Sequence, residues 1–239
     1  MRRISLALIA AAFGVVPVLP AQQQAASPSI APPDEQIAAA ITPLPSELQS
    51  GAAVLGYSAG GKLVSLRAGK NDMICLAPAP AAKGFHSACY HRGMEPFMAR
   101  GRALRAQGIK GDQVDTVRFA EVKAGKLKVP TEPSMLYQIF GGTFDTTTGK
   151  VTGGKLLYVT YIPFATTATT GISSAPSDKS PWLMYPGTPL AHIMFSVGME
   201  DVVARGGTGQ SVSPRAPRRR RKQTRRQLHP HLPVGVILG

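Results

Sequence analysis

The sequence predicts an α+β domain with a mainly antiparallel β-meander, two central helices and a disordered basic C-terminal tail. Three observations support this class. From residue 52 to 90, short apolar runs alternate with turn signals. From 95 to 125, the pattern changes to helix formers that end at glycine. Strand-like runs then return up to residue 195, and strands followed by helices and more strands are typical of α+β domains.

The first 21 residues are predicted to be a secretory signal peptide. Met1-Arg2-Arg3 is a short positive segment, and Ile4 to Leu19 is a mainly apolar stretch of 16 residues. That length falls short of the roughly 20 residues that span a bilayer. We therefore expect the mature protein to be soluble, periplasmic or secreted, and free of the membrane after cleavage. Residues 22–33 predict a flexible leader.

The domain is expected to begin at residue 34 with two short helices and four strands. Asp34 can cap the first helix, which must stop before Pro43. Ala59-Gly60-Gly61 and Gly69-Lys70-Asn71 predict turns between strands. The predicted helices are Glu35–Ile41 and Ser46–Ser50, and the predicted strands are Ala53–Tyr57, Leu63–Arg67, Met73–Ala77 and Phe85–Tyr90.

Two longer helices come next. Pro96 suits a first helical position, and Phe97–Gln107 ends at Gly108. Gln113–Ala124 is the second helix, with Val114, Val117, Ala120 and Glu121 expected on one side. The first helix is expected to present a solvent-exposed basic face of Arg100, Arg102 and Arg105.

The last part of the domain, up to residue 195, is predicted to consist of strands. Asp145–Gly149 is a hairpin-like loop between two of them. The predicted strands are Met135–Phe140, Leu156–Phe164, Trp182–Tyr185 and Leu190–Phe195.

Several segments resemble a group of uncharacterised exported bacterial proteins. The resemblance covers about Pro32 to Phe195, and it implies export and a shared fold but no mechanism. The segments are Pro33-Asp34-Glu35-Gln36-Ile37, Met73-Ile74-Cys75-Leu76, Ala88-Cys89-Tyr90-His91, Glu95-Pro96-Phe97-Met98-Ala99-Arg100-Gly101, Leu157-Tyr158-Val159, Ile162-Pro163-Phe164, Pro186-Gly187-Thr188-Pro189 and Ala191-His192-Ile193-Met194.

The two cysteines are predicted to form a disulfide. If the strands on either side of a loop centred on Ala82 pair antiparallel, Cys75 and Cys89 lie directly opposite each other. An export signal favours this pairing over free thiols. The alternative is a zinc site built from Cys75, Cys89 and His91, which an oxidising compartment disfavours. We expect no metal and no cofactor, and we expect Met94 and Met98 to fill the core.

Gly56-Tyr57-Ser58-Ala59-Gly60 fits the Gly-x-Ser-x-Gly pattern of a serine hydrolase, with Asp178 and His192 as partners. A nucleophile elbow needs a helix of several turns after the serine. Here a short strand pattern and another turn follow, so a tight hairpin turn is the favoured interpretation.

The junction between the fourth strand and the first long helix is the second candidate site. His91, Arg92 and Glu95 are predicted to line a pocket for a small anionic ligand, because helix starts offer unpaired N–H groups. A small enzyme using His91 and Glu95, joined by His192, is an alternative. A purely structural role in capping is the simpler interpretation.

The net charge of +14 is concentrated at the end of the chain. Residues 202–239 contain nine of the 27 basic residues and no acidic residue, so the domain itself is nearly balanced and predicts no nucleic-acid binding. Residues 196–239 are expected to be a disordered Arg-rich tail, either an out-of-frame reading of a GC-rich gene or a genuine basic arm. We expect an exported small-ligand-binding or structural module; a serine hydrolase using Ser58 and the enzyme using His91 and Glu95 stand as alternatives.

Overall fold

The computed structural model describes residues 29–177 and 179–198, which fold around one eight-stranded sheet and confirm the α+β class. The helices of this part are α1 (Pro33–Ala40), α2 (Ser46–Gln49), α3 (Glu95–Ala106), α4 (Asp112–Lys123) and α5 (Thr167–Thr170), and a 3₁₀ turn (Arg92–Met94) leads into α3. The main-sheet strands are β1 (Ala53–Tyr57), β2 (Leu63–Arg67), β3 (Met73–Leu76), β4 (His86–His91), β5 (Ser134–Phe140), β8 (Lys155–Tyr161), β9 (Trp182–Met184) and β10 (His192–Gly198). The strands β6 (Thr143–Asp145) and β7 (Lys150–Thr152) form a separate hairpin at the predicted loop.

Several predicted regions lie outside the described residues. These are the signal peptide, the leader as far as residue 28, Asp178, and the predicted tail from residue 199 onward. Among residues 29–177 and 179–198, no helix is long and apolar enough to cross a membrane.

The sheet is antiparallel except at one pair of strands. Its order is β2-β1-β3-β4-β5-β8-β10-β9, and β3 runs parallel to β1. A strict meander would place β3 beside β2. Instead, the N–H groups of Lys70 and Asn71 donate to the Gly51 carbonyl oxygen, so the chain crosses the end of β1 and joins its other side. The first three strands therefore depart from the predicted meander order.

Both predicted ends of the domain need correction. The sequence places Pro33 in the leader, but it opens α1, where proline suits the first turn. The last strand is predicted at 190–195. It starts later, because Leu190 and Ala191 are held in a turn by Thr188. It also ends later, because Ser196 to Gly198 pair with β8, so the fold extends past the predicted start of the tail.

The two faces of the sheet carry different helices. Alternate residues of a strand point to opposite faces. In β3 and β4, Ile74 and Tyr90 belong to a core with Phe97 and Met98 of α3. Their neighbours Cys75 and Cys89 belong to a second core with Ala40 and Leu44, next to α1. We refer to these as the α3 face and the α1 face. Met94 and Met98 are buried on the α3 face, as predicted.

Candidate functional site

The predicted disulfide is confirmed by register and distance. Cys75 lies directly opposite Cys89 in the β3 and β4 pair, and their sulfur atoms are 2.06 Å apart. Both residues are fully buried on the α1 face. Joined sulfurs are not thiolate ligands, so the zinc alternative with His91 is wrong. In the described part of the chain, no three His, Cys, Asp or Glu residues are grouped to hold a metal.

Glu95 at the start of α3 is committed to a partly buried hydrogen-bond network. The Tyr90 hydroxyl donates to Glu95 Oε2 at 2.5 Å, and Arg102 Nη2 donates to Glu95 Oε1 at 2.7 Å. Arg102 Nη1 closes the triangle by donating to the Tyr90 hydroxyl oxygen at 2.8 Å. Burial raises the pKa of Tyr90 well above its usual range. Both carboxylate oxygens therefore serve the fold, which agrees with the structural interpretation of Glu95.

His91, Arg92 and Glu95 make their contacts with different neighbours. His91 Nδ1 accepts a hydrogen bond from the Gly93 N–H at 3.2 Å and caps the 3₁₀ turn. Arg92 turns away towards the loop after β2, where its Nε lies 3.5 Å from Asp72 Oδ1. Each of the three predicted ligand-binding residues thus contacts a different part of the molecule.

Ser58 lies in a hairpin turn and not in a nucleophile elbow. Its N–H donates to the Lys62 carbonyl oxygen at 2.9 Å, and the Gly61 N–H donates back to Ser58 at 2.8 Å. Gly61 has φ of 74°, which glycine adopts without strain. Strand β2 follows directly. Four strands separate β1 from β10, so His192 lies about 24 Å away at ordinary strand spacing. The favoured interpretation of this segment as a hairpin turn is therefore confirmed, and the alternative pairing of Ser58 with His192 does not fit the strand order.

His192 is a buried, neutral imidazole. Its Nδ1 lies 2.6 Å from the Leu190 carbonyl oxygen, and its ring packs 5.0 Å from Tyr161 and 5.8 Å from Tyr185. Burial lowers the pKa of His192 to about 4. With Nδ1 as the donor, Nε2 is a buried acceptor without a hydrogen-bond partner. β5 and β8 separate His192 from β4, so it does not join His91 or Glu95.

The loops beside His192 contain two aromatic residues in the left-handed region. Phe164 has φ of 65° and Tyr185 has φ of 51°. The loops are tied together because the Phe164 N–H donates to Thr188 and the Gly187 N–H donates to Ala165. Strained non-glycine residues persist only where surrounding contacts hold them. This end of the sheet is thus tightly fixed around the imidazole.

Two of the three arginines of α3 that the sequence predicted on a solvent-exposed face are engaged in ion pairs. Arg100 pairs with Glu121 of α4 at 2.6 Å, and Arg102 pairs with Glu95. Arg118 of α4 is buried, and it is not among the four residues that the sequence placed together on one side of this helix. The available signal was spacing, since Arg118 follows Val114 by four positions and Asp115 by three.

A cavity of about 260 Å³ opens beside α1. Its walls come from four separate segments: the residues before α1, α1 itself, the loop between β3 and β4, and the β6 and β7 hairpin. The lining is mainly apolar and includes Ala31, Ala39, Pro78, Pro80, Phe85 and Phe144. Phe85 and Phe144 stack at 5.8 Å between ring centres and brace one wall. Sequence reasoning missed this site because its lining residues are common apolar types that converge only in the fold.

No protein family, curated protein or solved structure matches this chain.

Proposed function

We propose that this chain is an exported binding domain that takes a small apolar ligand into the cavity beside α1. The observation that supports the proposal is the convergence of four segments on one mainly apolar concavity. Ligand sites are typically concave and apolar, with a few polar groups that fix orientation. The contacts of Glu95 and His91 also favour a binding role over a catalytic one, because both side chains are engaged in hydrogen bonds within the fold.

The polar groups of the cavity suggest the chemistry of the ligand. Gln36 is already satisfied, since its Nε2 donates to Ala31 and Tyr57 and its Oε1 accepts from the Tyr57 N–H. Glu35, which is half-buried, is the acidic lining residue. A volume of 260 Å³ lies just below the roughly 300–1,000 Å³ of common ligand sites. The proposed ligand is therefore a small apolar molecule that is neutral or cationic.

Export rests on the predicted signal peptide and on the disulfide. Disulfides persist mainly outside the cytoplasm, so a buried Cys75 and Cys89 pair fits an oxidising compartment. Within this proposal the domain works in the periplasm or after secretion. The proposal includes that this chain belongs to the group of uncharacterised exported bacterial proteins that it resembles.

The test uses a neutral hydrophobic fluorophore, N-phenyl-1-naphthylamine, with two variants of one loop. Ala79 lines the cavity, so Ala79→Phe fills it; Ala81 is exposed on the same loop and does not line it, so Ala81→Phe is the matched control. We expect dye fluorescence to rise with wild type and with Ala81→Phe, and to be lost with Ala79→Phe. Equal dye binding by both variants would refute the assignment. Melting curves of the apo variants verify that both are folded.

A further inference from the structure

Two guanidinium groups converge beside Gly101, a buried glycine of α3. A Cβ atom built on Gly101 would lie 3.0 Å from Arg118 Nη1 and 3.2 Å from Arg105 Nη1. Both guanidinium groups therefore pack closely against this glycine, one from α3 and one from α4. Like charges this close repel unless an anion lies near them.

The negative charge beside this pair is limited. Arg118 Nη2 donates to Asp115, its Nη1 donates to the Phe97 carbonyl oxygen, and its guanidinium stacks 3.9 Å above the Phe97 ring. Its side chain is only 5% exposed, and its buried Nε–H has no partner. Within residues 29–177 and 179–198, no carboxylate lies within ion-pair distance of Arg105. Among these residues, Asp115 is therefore the one acidic group in ion-pair contact with either cation.

The electrostatic environment of Arg105 agrees with this arrangement. Burial and the charge of Arg118 lower the pKa of Arg105, and the opposing effect of Asp115 is smaller than that of Arg118. Arg105 is half-buried and keeps an opening to solvent, whereas Arg118 is buried. The pair thus combines an accessible cation with a buried one.

We propose that Arg105 and Arg118 form a binding site for a carboxylate or phosphate group. The guanidinium group is planar and presents paired donors that match the oxygens of these anions. An anion seated between the two side chains would offset their repulsion. This site is independent of the apolar cavity, and it places the anionic ligand expected from the sequence at the end of α3 and not at its start.

The experiment measures thermal shifts and titration calorimetry with inorganic phosphate, acetate and glycerol phosphate, each against sodium chloride of equal ionic strength. Arg105→Gln removes the accessible cation. Arg100→Gln is the matched control, because Arg100 lies on the same helix and pairs with Glu121. We expect wild type and Arg100→Gln to bind alike, and Arg105→Gln to bind about tenfold more weakly, as befits a lost charged hydrogen bond.

Three outcomes decide the proposal. Binding of phosphate or acetate that is lost only in Arg105→Gln supports it, and the stronger anion identifies the class. Tighter binding of glycerol phosphate than of free phosphate assigns the anion to a larger organic ligand, and the reverse order assigns it to the free ion. Equal affinity of Arg105→Gln and Arg100→Gln, or no binding beyond the chloride control, would overturn it. The dye assay on the cavity is unaffected by any of these results.

Discussion

The two faces of the sheet are stabilised by different chemistry. The α1 face has small and aliphatic side chains around a covalent bond between Cys75 and Cys89. The α3 face has large apolar side chains together with the buried Arg118 and His192 and the partly buried Glu95. A covalent link depends on redox state, whereas buried ions depend on their partners and on pH. The two faces should therefore fail under different conditions, and the predictions below test this difference in order of expected effect.

The largest effect is expected from Asp115→Asn on the α3 face. This change leaves the Arg118 charge buried without its ion partner, which typically costs about 3–5 kcal/mol. Asp112→Asn is the control, because Asp112 lies in the same first turn of α4 but is exposed. Urea unfolding of both variants measures the difference. Equal losses of unfolding free energy in the two variants would show that the ion pair of Arg118 and Asp115 stabilises the fold no more than an exposed charge in the first turn of α4 does.

On the α1 face, Cys75→Ala with Cys89→Ala should lower the free energy of unfolding by about 3 kcal/mol, the chain-entropy value for a loop of about 15 residues. The stability of the double variant should not change with dithiothreitol, whereas wild type should weaken to a similar level. Thiol counting in denatured, unreduced protein from the periplasm is the companion measurement. Two reactive thiols there would contradict the disulfide.

The third prediction concerns pH and the α3 face. Burial lowers the pKa of His192 to about 4, whereas an exposed histidine titrates at 6.5. As pH falls through 6.5, the unfolded chain takes up a proton that the folded state does not. The stability that neutral His192 contributes is therefore complete above about pH 7 and is lost as pH falls towards about 4. At about pH 5 the loss is about 2 kcal/mol, since one pH unit is worth about 1.4 kcal/mol.

His192→Phe keeps a ring but removes this titration. Plots of unfolding free energy against pH should be flatter for the variant between about pH 4.5 and 6, with a slope lower by up to about 1.4 kcal/mol per pH unit. Burial also lowers the pKa of His86, so the variant should keep some pH dependence. Parallel curves for the two proteins would show that folding leaves the proton affinity of His192 unchanged.

Local signals predicted much of this fold. Strands β1 and β2 lie where predicted because the turn at 59–61 fixes their hairpin, and the symmetric spacing about Ala82 placed Cys75 opposite Cys89. The parallel pairing of β3 with β1 was not predicted, because the order of strands depends on contacts across the whole sheet and not on local turn signals. Arg118 was missed for a related reason: a charged residue is buried only where its partners meet it, and Phe97 comes from another helix.

The smallest effect is expected from Arg92→Ala at the start of α3. Its pairing with Asp72 spans 3.5 Å between side chains that are 51% and 73% exposed, whereas the pair of Arg118 and Asp115 is 5% and 14% exposed. Exposed ion pairs contribute little because water screens them, so the free energy of unfolding should change by less than about 0.5 kcal/mol. The variant also separates two positions for the anion. If Arg105 and Arg118 bind the anion, Arg92→Ala should leave the phosphate-induced thermal shift unchanged. Loss of that shift in Arg92→Ala would instead place the anion site at the junction between β4 and α3, as the sequence predicted.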